Sequence, residues 1–396
     1  MSKPLSFLAC LLLLIVSGCD SVPDRPQITY TGDPVIDGRA ELNAAAPKDR
    51  VLWNYRIAGA ALRRGQYDEA KTQLDTAIPL VGGILANSAD AKKARSLFSN
   101  EDSKTYIGEP YERVMAYYYR AILYWMDGQP DNARACYRTG QLIDSDAESN
   151  EYKSDYVLLD YLDGFVSTKL ASDGQDAYDR ANKLLKKGHG KLPTYDANAN
   201  LIVFAEYGQG PRKYGSGEYG EQLRFITTNS STVYARLTVG DQQIPLPSFD
   251  DLNYQATTRG GRVMDYILGR KAVFKSTTDT IGDVALTGAA VAASQIRRAD
   301  GGTSRNAEGV ALALGAIGLI SKLTSAATTP KADTRTWENL PQRLAFAFAQ
   351  VPPGEYPAKV EFFNREGNIQ AARTKIFNVT VKADGDTVLF VSELGR

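Results

Sequence analysis

The sequence predicts an α+β protein: a helical repeat domain in front, then a β-sandwich-like domain carrying a Gly/Ala-rich helical insert. Three observations carry this. Apolar residues recur every three or four positions between residues 50 and 190, the spacing of one helix face. From Asn198 onward the apolar residues alternate with polar ones and are β-branched or aromatic, as on a half-buried strand. Between two such strand blocks lie runs of Ala and Gly with almost no charge.

In chain order, Lys3 precedes an apolar run over residues 5–16, shorter than the roughly 20 residues a membrane-crossing helix needs. It ends in Val16-Ser17-Gly18-Cys19, which resembles the lipobox of bacterial lipoproteins. The resemblance implies a signal peptide over 1–18, cleavage before Cys19, and acyl chains on the Cys19 sulfur and amino group. Two or three chains, at about 0.8 kcal/mol per buried methylene, anchor a protein durably. The lipid bilayer is thus the first implied partner, with the folded part facing the periplasm. Asp20 resembles the signal that retains enteric lipoproteins on the inner membrane; other bacteria read other positions, so inner or outer membrane stays open. Residues 19–49 contain Pro23, Pro26, Pro34 and Pro47 and read as an extended tether.

The helical domain is expected over 50–190. Residues 108–143 read as two antiparallel helices turned at Asp127-Gly128-Gln129-Pro130, with Val114, Tyr117, Tyr118, Ala121 and Trp125 on one stripe. Residues 51–77 repeat the scheme, with Ala58 for Ala121, Gly65 for Gly128, Ala70 for Ala133, Leu74 for Tyr137 and Ala77 for Gly140. The run from Gly65 to Ala70 after the turn resembles the tetratricopeptide repeat, a protein-binding module of about 34 residues. The copies lie nearly two periods apart, so residues 79–112 must hold a degenerate pair or an inserted loop. A third copy over 156–185 keeps Ala177 and Ala181. The resemblance implies a groove lined by the first helix of each copy: Tyr55, Leu62 and Arg63, then Met115, Tyr118, Ile122 and Trp125. Aromatic and Arg side chains are what binding hot spots favour, so Tyr55, Arg63, Tyr118 and Trp125 are the candidate partner contacts. The alternative is that Tyr118 and Trp125 are core residues of a closed bundle.

Strands are expected over 201–207, 222–228, 232–240, 344–351, 356–363, 374–381 and 387–392, forming one discontinuous sandwich over 198–396. The Gly-rich stretch 207–219 around Pro211-Arg212-Lys213 reads as a mobile loop, since its glycines lack the strand-turn-helix order of a phosphate cradle. The insert, 262–330, contains two small-residue helical runs, 281–296 and 309–321. Their four-residue spacing of small side chains suits a close helix pair packed on the sheet. At the re-entry stands Thr334-Arg335-Thr336-Trp337-Glu338-Asn339-Leu340, where Trp337 and Leu340 are expected to plug the seam, with Arg335 paired nearby. With Gly108-Glu109-Pro110-Tyr111-Glu112-Arg113 and the Gly210-Pro211-Arg212-Lys213 stretch, this layout resembles a group of bacterial lipoproteins pairing a tetratricopeptide-like front with a β-rich rear. That resemblance implies no particular activity.

Chemistry is weighed by what is missing. Lys plus Arg equals Asp plus Glu at 46 each, so no net field draws nucleic acid. His189 is the one histidine, which excludes His-based triads and multi-histidine metal sites. After processing, Cys136 is the sole thiol, so no intramolecular disulfide forms. Glu109 and Glu112 suit helix capping rather than acid-base work. No catalytic, metal-binding or cofactor-binding residue is assigned. The expected function is a lipid-anchored adaptor joined to an envelope protein partner. The alternative is a self-assembling structural or pore-associated subunit, a homo-oligomer built through the insert, and the third is a cell-wall enzyme using carboxylates.

Overall fold

A computed structural model of the chain describes residues 27–82, 104–145, 153–185, 192–258 and 331–395. Residues 1–18, expected as a signal peptide, Cys19, Asp20, His189 and residues 262–330, expected as a helical insert, lie outside the described residues.

Part of the expected tether is helical. Asp33 caps α1 (Pro34–Ala44) by accepting from the Val35 and Ile36 N–H groups, and Pro34 occupies the first turn, where its missing donor costs nothing. α1 then docks on α2 (Arg50–Arg63). Gly38 permits the approach, since a Cβ there would stand 2.7 Å from Ile57 Cγ1.

Among the described residues three helix hairpins follow: α2 with α3 (Tyr67–Gly82), α4 (Pro110–Met126) with α5 (Pro130–Asp144), and α6 (Val157–Lys169) with α7 (Gln175–Leu184). The first two match in detail. Gly65 and Gly128 turn the chain with φ of +70° and +73°, a conformation Gly adopts without strain. Ala58, Ala70, Ala77, Ala121 and Ala133 are all buried, where small side chains let the helix axes approach. The hairpins are unequal in burial. α2, α4 and α6 are buried over most of their length, whereas α7 buries only Ala177 and Ala181. The first helix of each hairpin is therefore covered on two sides and the second on one.

The second cover is a sheet. β1 (Leu201–Tyr207) is followed by the ribbon β2 (Arg212–Ser216) and β3 (Gln222–Ile226), then β4 (Thr232–Val239), β5 (Gln242–Leu246), β6 (Ser248–Asp251) and the short α8 (Leu252–Thr257). After residues 259–330 come β7 (Arg343–Ala349), β8 (Gly354–Asn364), β9 (Lys375–Val381) and β10 (Thr387–Ser392). One sheet has the order β10-β1-β7-β6, the other β5-β4-β8-β9. β1 runs antiparallel to β7 and parallel to β10.

Strand alternation divides the first sheet between two cores. Ile202, Phe204, Leu344 and Phe346 join the helices in one apolar cluster. Leu201, Val203, Ala205, Ala345, Ala347 and Ala349 join Leu237, Val360, Phe362 and Val379 of the other sheet in the second. β1 is buried at every residue. The result is three layers, helices on sheet on sheet, with the helical layer seated on the middle one.

Candidate functional site at the helix–sheet seam

The three short motifs that stood out in the sequence meet at one place. Glu112, in the first turn of α4, accepts from the Glu109 N–H at 2.7 Å, closing the helix start as a capping residue does. The same carboxylate pairs with Lys213 of β2, whose Nζ also donates to the Arg335 carbonyl at 2.9 Å. Its other oxygen accepts from the Trp337 N–H at 2.8 Å. Both side chains are almost fully buried, Glu112 at 0% and Lys213 at 2% exposure. Such a pair is tolerated inside only when every donor and lone pair is matched.

Residues 333–340 run across the first-helix face of the hairpins. Arg335 donates to Asp49 at 2.7 Å and to the carbonyls of Lys48 and Lys104. Trp337 stacks on Tyr55 with centroids 4.5 Å apart and meets Tyr119 edge-on at 5.9 Å, arrangements the ring quadrupoles favour. Asn339 bridges the Trp337 indole N–H and the Arg56 carbonyl. Gly59 makes room, since a Cβ there would reach Asn339 Oδ1 at 3.3 Å.

A second buried set lies one turn along. Glu206 of β1 takes Arg63 Nε at 2.6 Å, the Tyr119 hydroxyl at 2.6 Å and the Ser392 hydroxyl at 2.7 Å. Burial, then the Glu206 charge, lifts the Tyr119 phenol well above its ordinary pKa, which keeps it a donor. Further on, the Trp125 indole donates to Asp386 at 2.8 Å, and Lys169 pairs with the same carboxylate at 2.7 Å. Tyr118 meets Phe204 edge-on at 6.0 Å. On the far edge, Asp250 of β6 accepts from the Val157 and Leu158 N–H groups, both at 2.9 Å, and so caps α6. Burial pushes its carboxyl up to about 7 against the downward pull of those two donors.

The open groove expected from Tyr55, Arg63, Tyr118 and Trp125 is therefore corrected. All four are buried, Tyr55, Tyr118 and Trp125 at 0–2% exposure and Arg63 at 4%, and each touches the chain's own β half. An aromatic stripe identifies a face that must be covered, and here the middle sheet and residues 333–340 cover it. Leu62, Met115 and Ile122 are buried with them. The expected loop 207–219 is likewise in part a strand, because Arg212–Ser216 pairs with β3.

Sequence reasoning missed Lys213, Glu206 and Gly59 as members of this seam. Glu206 had a signal, being the one charge in an otherwise apolar strand that is buried on both faces; such a residue needs a buried partner. Lys213 had none beyond its place beside glycines.

Chemically, the seam holds rather than reacts. The oxygens of Glu112 and Glu206 are taken up by cations, hydroxyls and backbone N–H groups. The Cys136 thiol, half-buried on α5, is pushed up to about 11 by burial, far from the range of a reactive thiolate. Among the described residues no group of three His, Cys, Asp or Glu side chains is placed to hold a metal ion, and no helix is long and apolar enough to cross a membrane. No protein-family model, curated protein or solved structure matches this chain.

Proposed function

We propose that the protein is an envelope lipoprotein, anchored through acyl chains on Cys19 with Asp20 as its sorting residue, that acts as a periplasm-facing adaptor for a protein partner. The lipobox-like Val16-Ser17-Gly18-Cys19 supports the anchor and the compartment. One observation carries the adaptor role: the buried charges at the seam are matched to one another or to backbone, which builds a stiff body and leaves partner contact to its outer surfaces. We read the helical half as tetratricopeptide-like. The matched turn glycines and small residues of the first two hairpins support this, and the seam takes over the groove such repeats offer to a ligand.

The anchor is tested by labelling with a palmitate analogue. Label on the native chain, lost in Cys19→Ser together with resistance to a high-salt wash, is the expected result. A Cys19→Ser variant that stays on the membrane overturns it. Cross-linking in intact cells tests the role: a discrete hetero-complex is expected, and a ladder of self-cross-linked species would favour the assembling subunit.

A further inference from the structure

The middle sheet ends at β10, and nothing in the described structure extends it. In its parallel pairing with β1, Thr387 and Glu393 point their N–H groups at Asn200 and Glu206. Alternation then turns the N–H and C=O groups of Val388 and Phe390 away from β1, and no described residue hydrogen-bonds to them. This edge is not flush with its neighbours. It floors a slot of about 510 Å³, with Arg64 and Tyr67 at the α2–α3 turn forming one wall, and Lys375 and Phe377 of β9 the other. Leu389 and Phe390 supply apolar floor. No carboxylate lines it, and two arginines do: Arg63, matched to Glu206, and Arg64, whose guanidinium also stands 3.1 Å from Asp33.

We propose that this slot takes an extended peptide of a protein partner, which adds a fifth strand to the middle sheet at β10 and places an acidic side chain against Arg64. An unpaired strand edge is complementary to another strand. The helical turn and β9 stand above and below it, which selects a single strand over edge-to-edge pairing of two sheets. Arg64 carries five N–H donors, and those beyond its contact with Asp33 set the sign of the peptide's charge. This deepens the adaptor reading and rests on it for the source of the peptide.

The test uses the full acylated chain in detergent and an unbiased library of displayed octapeptides. Enriched sequences should alternate apolar residues and carry an Asp or Glu. A synthetic copy should slow amide exchange at Val388 and Phe390 by ten-fold or more while leaving Leu389 and Val391, already in the ladder, unchanged. Arg64→Glu should weaken the peptide about ten-fold, and a Lys-for-acid peptide should recover binding to that variant. The inference is overturned by three results: no peptide selected, a peptide that protects other amides, or Val388 and Phe390 already protected in the protein alone. A cellular hetero-complex that survives Arg64→Glu unchanged would remove the slot and leave the adaptor standing, while absence of any hetero-complex would remove the adaptor and leave peptide binding to be judged by exchange.

Discussion

Among the described residues, two places lie against both the helical and the β layers, and they differ in one respect. The seam on the first-helix face is filled by residues 333–340 of the chain itself, with buried ion pairs at either end. The slot beside β10 is lined by cations and left with an unpaired backbone edge. The contrast teaches that a binding-type surface, rich in aromatic and Arg side chains, can be used for internal assembly. The surface left for others is then set by where a sheet stops.

If the seam is structural, disrupting it should be costly. The largest effect is expected from Lys213→Met or Glu112→Gln alone, each losing about 3–5 kcal/mol of unfolding free energy because the other charge stays buried without its partner. The double variant Glu112→Leu with Lys213→Met should recover much of that loss in denaturant titration. Trp337→Ala should cost about 3–5 kcal/mol, and Gly59→Val, which pushes on Asn339 and Trp337, about 1–3 kcal/mol.

A pH titration sharpens the same comparison at the far edge of the sheet. Asp250 has a folded pKa of about 7 against an ordinary 3.8. The folded state therefore holds the extra proton, so the group's contribution is full below about pH 4 and is lost as pH rises through 7. Wild-type stability should fall relative to Asp250→Asn by up to about 1.4 kcal/mol per pH unit inside that window. A parallel pair of stability curves would contradict this. The smallest effect belongs to the outer layer. Arg138 meets Asp163 at 3.1 Å with its own side chain 58% exposed, and Arg138→Ala should change stability by no more than about 1 kcal/mol.

Much of the architecture was legible in local pattern, because helices and strands with one wet face announce their period. The ends of α2, α4 and α5, and the strands at 201–207, 375–381 and 387–392, fall within a residue or two of the spacing. What escaped has physical reasons. α1 was hidden by prolines that read as tether, although Asp33-Pro34 is also a helix start. β5 carries Pro245 and β6 is Ser-Phe-Asp-Asp, so neither looks like a strand, and each sits at a sheet edge where such residues are tolerated. The parallel pairing of β1 with β10 joins segments far apart in the chain, and no local pattern encodes it. The four candidate groove residues were recognisable as contact residues, since their stripe is wider than a hairpin alone can bury. What covers the stripe was not, because an apolar face is the same whether its partner is another protein or the next domain.

The central physical claim is that the helical and β layers stand or fall together through the seam. Native-state amide exchange measures this directly. The slowest amides of α4 and of β1 should open with the same free energy and be lowered equally by Lys213→Met. Helical amides that exchange well before those of β1, with β1 unmoved by that substitution, would contradict it.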